Sequence, residues 1–318
     1  MNTITTFAGF TLGLAAVFGI AVATGAAIGP EPNEPGHDST THRNSSTSDD
    51  AGPADLPGGM LATDHGYTLR LDTPQTIAAP NVPVRFRILN RDGAPVTHYL
   101  RSHDKDLHLI VVRRDMAAFQ HVHPTLEGDG HWNALLDLTR AGDYRVFADF
   151  TPEGGDNLTL GADLRVGGVY DPRPLPAAAS TTTVGGYTVT MDGDVIPGQS
   201  SKVSLSLQRD GKPVTDLQPY LGAYGHLVAL RAADLAYLHI HPDGHPGDGV
   251  TPAGPGIAFQ VLAPSAGDYR LFLDFQHDGV VRTAELTLTV APSARLAALE
   301  PAHTEYDHPE TAPSGHSH

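Results

Sequence analysis

The feature that most constrains the fold is that the chain repeats itself. Gly66-Tyr67-Thr68 returns as Gly186-Tyr187-Thr188, and Arg91-Asp-Gly-Ala-Pro-Val-Thr97 returns as Arg209-Asp-Gly-Lys-Pro-Val-Thr215. Asp115-Met-Ala-Ala-Phe-Gln-His-Val-His-Pro124 returns as Asp234-Leu-Ala-Tyr-Leu-His-Ile-His-Pro242, one residue shorter before the His-x-His. Gly142-Asp-Tyr-Arg-Val-Phe-Ala-Asp-Phe150 returns as Gly267-Asp-Tyr-Arg-Leu-Phe-Leu-Asp-Phe275. The chain therefore holds two copies of one unit, residues 63–168 and 185–292. Each copy is roughly 100 residues, the size of an ordinary domain and too long for one turn of a solenoid. Both copies must adopt one fold, and what both retain reflects a shared constraint.

Within each unit the pattern is that of strands. Val82–Leu89 alternates apolar and basic residues before a turn at Asn90–Gly93, and Val203–Leu207 alternates likewise before Arg209–Gly211. Leu107–Val112 and Tyr144–Phe150 are further strand candidates, and no stretch in either unit sustains a 3.6-residue period. About seven short strands per unit predict an all-β chain of two tandem antiparallel β-sandwich domains. Tyr144 and Tyr269 stand where a tyrosine corner enters a late strand, a structural role.

The flanks differ in composition. Residues 1–29 contain an uncharged run, Phe7–Gly29, of 23 residues, long enough to cross a bilayer as a helix. No Lys or Arg precedes it, which favours an uncleaved transmembrane anchor over a cleaved signal, although Thr24-Gly25-Ala26 has the small residues of a cleavage site. The expectation is a single-pass membrane protein with its C-terminal part outside the cytoplasm, or a secreted one. Residues 30–62 read as a polar stalk, 169–184 as a linker containing Asp171-Pro-Arg-Pro-Leu-Pro176, and 293–318 as a polar His-containing tail.

Composition removes several functions. The chain has no Cys, which excludes disulfide scaffolds, thiolate zinc fingers, iron–sulfur clusters, Cys nucleophiles and blue-copper centres. Four Met are too few for a Met-rich copper(I) carrier. The net charge of −16 argues against nucleic acid. Stalk and tail supply −8 of that, so the folded units are only mildly acidic. Neither a phosphate-binding loop nor a nucleophile elbow is present.

The chain has 18 His. Six lie in the stalk and tail, among them His37, His42, His303, His308, His316 and His318, and read as solvated residues. His98, His103 and His131 have no His counterparts in the second unit, and His131 and His245 lie in loops after the His-x-His. Three per unit recur. Strand side chains alternate faces, so His121 and His123 share a face with Phe119, and His108 shares one with Ile110 and Val112. A hairpin with Val112 opposite Phe119 sets Ile110 against His121 and His108 against His123. Opposed Cβ atoms lie about 4.5–5.5 Å apart, so three imidazoles converge, whereas a one-residue slip would scatter them. His226, His239 and His241 repeat the pattern, with Tyr237 as the counterpart of Phe119. Three imidazoles suit zinc, copper(II) or nickel. Asp104, Asp106, Asp149 or Asp274 stands ready as a further ligand or as a partner that orients a ring.

The segments Phe119-Gln-His-Val-His-Pro124, Tyr220–Val228 and Leu238-His-Ile-His-Pro242 resemble those of actinobacterial membrane-anchored or secreted proteins with tandem immunoglobulin-like or cupredoxin-like repeats. That resemblance implies heavy-metal handling, copper above all. The Gly-Asp-Tyr-Arg-x-Phe strands are also similar to the late strand of cupredoxins. Four residues after the Tyr, where a cupredoxin carries its copper-ligating Cys, this chain has Ala148 and Leu273, which rules out a type-1 site.

The leading expectation is a membrane-anchored extracytoplasmic protein binding divalent metal, copper(II) ahead of zinc, through His108/His121/His123 and His226/His239/His241, for sequestration or delivery. The rival is a structural or interaction module that binds a protein partner or surface polymer. There the face carrying Leu107, Leu109 and Val111 is as apolar as the His face, so one of the two packs on another element. The third reading is a three-His metal enzyme with an open coordination position.

Overall fold

A computed structural model describes residues 56–238 and 240–292, with only the backbone of His241. The expected anchor, most of the stalk, the tail and His239 lie outside the described residues. Among the described residues no helix is long and apolar enough to cross a membrane.

Each repeat is a pair of packed sheets. In the first, one sheet runs in the order Thr63–Asp64, Tyr67–Leu71, Ala79–Leu89, His131–Leu138, Thr125–Leu126. The other runs Gln75–Ile77, Leu158–Gly167, Gly142–Pro152, Leu107–Arg113, Gln120–Val122. In the second repeat the corresponding sheets are Thr181–Val184, Tyr187–Asp192, Ser200–Arg209, Gly256–Leu262, His241–Pro242 and Tyr237–Leu238, His226–Arg231, Gly267–His277, Val280–Val290. The fold is all-β, two tandem β-sandwiches. One pairing departs from the antiparallel rule: Gln75–Ile77 lies parallel to Leu158–Gly167, because this short run leaves its own sheet and joins the far edge of the other.

Alternation sorts the side chains as the sequence requires. Leu107, Leu109 and Val111 point into the core of repeat 1 with Phe86, Trp132, Tyr144 and Phe150. Leu227, Ala229, Leu271 and Leu273 do the same in repeat 2. Both corner tyrosines close their turns: Tyr144 donates to the Arg140 carbonyl at 2.7 Å and Tyr269 to the Ser265 carbonyl at 2.8 Å.

The opposite faces of the same strands build a third core, between the repeats. Ile110, Val112, Phe147 and Met116 of repeat 1 cluster with Val228, Leu230, Tyr237 and Phe272 of repeat 2. The His-bearing face is therefore the one that packs on another element, and that element is the other copy. The contact is reciprocal. Phe119 stacks on Phe272 with centroids 3.8 Å apart, and Tyr237, the counterpart of Phe119, meets Phe147, the counterpart of Phe272, at 5.5 Å. Such self-complementary pairing is the signature of a two-fold interface, here within one chain.

The end of the expected stalk is part of this arrangement. Gly58 bridges Tyr237, and Gly59 N–H donates to the Thr159 carbonyl at 2.8 Å. Gly59 has φ +73, and a Cβ there would stand 2.3 Å from Phe147, so only glycine lets the strand lie this close. The linker is tied down too: Arg173 N–H donates to Asp115 and Arg113 donates to the Asp171 carbonyl.

Candidate metal centre

The turn that leads into each His-x-His is clamped by an arginine. Arg113 donates through Nε and Nη2 to both Asp115 oxygens at 2.8 and 2.6 Å, and Arg231 does so to Asp234 at 2.9 and 2.5 Å. The fork fixes the turn and thereby the register of the hairpin it closes. In repeat 1 that register sets Leu109 against Val122, Ile110 against His121 and Val111 against Gln120. The pairing Ile110–His121 is the one the alternation predicted, and it carries His108 toward His123.

The three rings converge. His108 Nδ1 lies 3.1 Å from His121 Nε2 and 3.2 Å from His123 Nε2, and all three ligating nitrogens fall within 4.8 Å of one another. Two nitrogens each about 2.0–2.1 Å from one tetrahedral ion are roughly 3.3–3.4 Å apart. The 3.1 and 3.2 Å spacings from His108 Nδ1 lie within a few tenths of an ångström of that separation.

The partners of the outward nitrogens bear on what the inward ones offer. A neutral imidazole carries one N–H. His108 Nε2 lies 3.0 Å from the Ser102 carbonyl, and His121 Nδ1 lies 2.8 Å from Asp274 Oδ2. Where each of those contacts takes the ring's single proton, His108 Nδ1 and His121 Nε2 face each other with lone pairs, and a metal ion between the rings relieves their repulsion; a proton between them instead makes the 3.1 Å contact a hydrogen bond. Burial, opposed by the Ser102 carbonyl, holds His108 down to about 4, and burial followed by the His121 and His108 rings holds His123 down to about 3. Both rings are neutral near pH 7, the state in which imidazole binds metal.

Asp274 belongs to repeat 2. Its carboxylate is almost fully enclosed, accepts from Thr283 Oγ1 at 2.6 Å, and lies opposite His226 in the strand register. The sequence singled out Asp274 as a carboxylate near its own repeat's histidines; the structure joins it to a histidine of the other repeat. Asp149, its counterpart, lies opposite His108 and receives Asn157 Nδ2 at 2.9 Å and the Tyr237 hydroxyl of repeat 2 at 3.4 Å.

In repeat 2, His226 is held as His108 is: Nε2 donates to the Tyr220 carbonyl at 2.8 Å, and burial holds the ring down to about 4. Tyr237 pairs with Leu230 and Leu238 with Ala229, and the His241 backbone pairs with Gln260 of the other sheet, while His239 and the His241 side chain lie outside the described residues. His103, which has no His counterpart in the second repeat, stands beside His226 with ring centroids 5.0 Å apart. The other singled-out residues lie elsewhere. His131 pairs with Asp129 and Asp72, His245 is exposed in a groove, and Asp106 pairs with exposed Arg101. His123 opens onto a surface groove with Arg101, Asp104, Lys105 and Asp106, the side from which an ion can enter.

A family model described as a domain of unknown function, DUF8832, matches residues 62–167 and again residues 182–292. The chain belongs to this family. Each DUF8832 match spans one β-sandwich. No curated protein matches. Among solved structures, the Escherichia coli adhesin FdeC is 16% identical over 74% of this chain and 66% of that one, TM-score 0.23. The Yersinia pseudotuberculosis adhesin InvE is 14% identical over 71% and 59%, TM-score 0.22. Invasin, a bacterial integrin-binding protein, is 11% identical over 71% and 39%, TM-score 0.21. The DUF8832 chain thus spans less than two thirds of the length of these three proteins.

Proposed function

We propose that this DUF8832 protein binds divalent metal outside the cytoplasm, copper(II) ahead of zinc, anchored by its N-terminal apolar segment, and that it sequesters or delivers the ion. One observation carries the reading: His108 Nδ1 lies 3.1 Å from His121 Nε2 and 3.2 Å from His123 Nε2, while the Ser102 carbonyl and the Asp274 carboxylate stand behind the outward nitrogens of His108 and His121. A carboxylate or carbonyl behind each ring is how metal-binding imidazoles are oriented. Titration of the chain with copper(II) or zinc at neutral pH is expected to saturate near two equivalents. His121→Ala combined with His123→Ala should remove one of them. Absence of binding by the folded wild type would overturn the reading.

A second reading keeps the sandwiches as an interaction module for a protein or surface polymer. It is favoured by apolar side chains on the outward faces, with Leu135 66% and Leu262 55% exposed. On this reading the imidazoles serve only to hold the repeats together, and the same titration shows no stoichiometric step.

A further inference from the structure

We propose that the His108/His121/His123 position takes its ion together with a small carboxylate anion, one oxygen of which fills the coordination place the three rings leave open while Lys105 holds the other. This rests on the metal-binding reading above.

Three imidazoles leave one place of a tetrahedral ion unfilled. His108 and His121 are almost fully enclosed, and their outward nitrogens face the Ser102 carbonyl and the Asp274 carboxylate. His123 is half-buried and lines a groove of about 340 Å³ together with Arg101, Asp104, Lys105 and Asp106. What reaches the rings from solvent passes this groove. Its acids are engaged elsewhere. Asp106 lies 3.3 Å from Arg101, and Asp104 turns toward repeat 2, where a Cβ on Gly222 would stand 3.7 Å from its Oδ2. Among the described residues Lys105 forms no ion pair. Its charge is felt at the site: burial and then the His121 and His108 rings hold His123 down, and the Lys105 ammonium adds to them. An ammonium beside three neutral donors repels a bare divalent ion, whereas an anion seated between the two is attracted by both. A carboxylate suits the place because it has two oxygens, one for the ion and one to accept a charge-assisted N–H from the ammonium.

The repeat isolates Lys105. Ser102 and Tyr220 hold equivalent places, each accepting from the ring that recurs in both copies and each bridging the residue three on, Lys105 and Ala223. In the first copy that bridge is two backbone hydrogen bonds, Ser102 N–H to the Lys105 carbonyl at 2.9 Å and Lys105 N–H to the Ser102 carbonyl at 3.1 Å. The turn that orients His108 through Ser102 therefore also fixes where Lys105 leaves the backbone. Ala223 is buried and carries no charge, so the ammonium belongs to the first repeat alone and the turn forms without it.

The test uses the full chain loaded with cobalt(II), whose visible bands report its coordination. Acetate is the probe, added at constant low ionic strength set with perchlorate. Wild type is compared with Lys105→Ala, which copies the residue repeat 2 already accepts in this turn. Wild-type bands are expected to shift saturably with acetate and not with perchlorate. Lys105→Ala should raise the acetate concentration for half the shift by about two- to fivefold, the size of one exposed ion pair. Lys105→Arg, which keeps the charge, should restore the wild-type value. Cobalt(II) bound elsewhere on the chain responds alike in all three proteins. Bands that ignore acetate, as when Asp104 swings in to fill the fourth place, overturn the inference while leaving the metal reading standing. So does an acetate dependence that is the same in wild type and Lys105→Ala. A folded wild type that gives no cobalt bands overturns both.

Discussion

The two repeats solve one problem with one scaffold and differ in a few atoms. His108 and His226 occupy the same strand position, each donating Nε2–H to a carbonyl at the loop before it. Asp149 and Asp274 stand opposite them in the same register. The partners of those acids differ. Asn157 and the Tyr237 hydroxyl reach Asp149, whereas Thr283 and His121 reach Asp274. Phe119, lacking the hydroxyl of Tyr237, instead lies flat on Phe272. The lesson is that duplication gave a two-fold interface, and that substitutions at its periphery made the two halves unequal without disturbing the frame.

The comparison breaks first at the interface. Phe272 is fully buried against Phe119, and Phe272→Ala is expected to cost about 3–5 kcal/mol in denaturant unfolding. The same change should weaken metal binding in repeat 1, because it loosens the strand that carries Asp274. Unaltered stability would mean that the repeats do not dock as described.

Asp274→Asn sharpens the comparison. It removes the charge behind His121 while keeping the shape, and is expected to weaken the equivalent lost in His121→Ala by about 10–100-fold in chelator competition. An effect on the other equivalent instead would show that each acid serves its own repeat.

Acid comes next. His108, His123 and His226 are held below the ordinary imidazole value of 6.5, to about 4, 3 and 4. Between those values and 6.5 the unfolded chain binds more protons than the folded one, so stability rises with pH through that window. The metal-free protein should therefore lose stability as pH falls from about 6.5 toward 4, and a variant with all three changed to Gln should show a flatter profile by thermal melting. A flat wild-type profile would contradict the burial of these rings.

The smallest effect is a symmetry control. Tyr144→Phe and Tyr269→Phe each remove one hydrogen bond to a backbone carbonyl and should each cost about 0.5–1.5 kcal/mol, equally in the two repeats.

The sequence made legible whatever is local and repeated. Alternation set His121 opposite Ile110, and the repeat singled out the three rings that converge in the first copy. The corner tyrosines were readable for the same reason. The docking of the copies was not. Leu107–Arg113 is apolar on both faces, which announces that each face is covered but not by what. Asp274 is 153 residues from His121, so no spacing rule connects them. His103 is not legible in the repeat, because recurrence marks only residues present in both copies and Leu221 holds the equivalent place in the second. Gly58 and Gly59 read as polar stalk because their role, close approach to Phe147 and Tyr237, leaves no side chain to signal it.

The central claim is that His108, His121 and His123 share one ion. It is tested most directly by a crystal structure of the chain grown with stoichiometric zinc or copper, with anomalous data at the metal edge. The account predicts a peak about 2.0–2.1 Å from His108 Nδ1, His121 Nε2 and His123 Nε2, with Ser102 and Asp274 still on the outward nitrogens. Crystals that contain the metal but show no peak among those three nitrogens would contradict it.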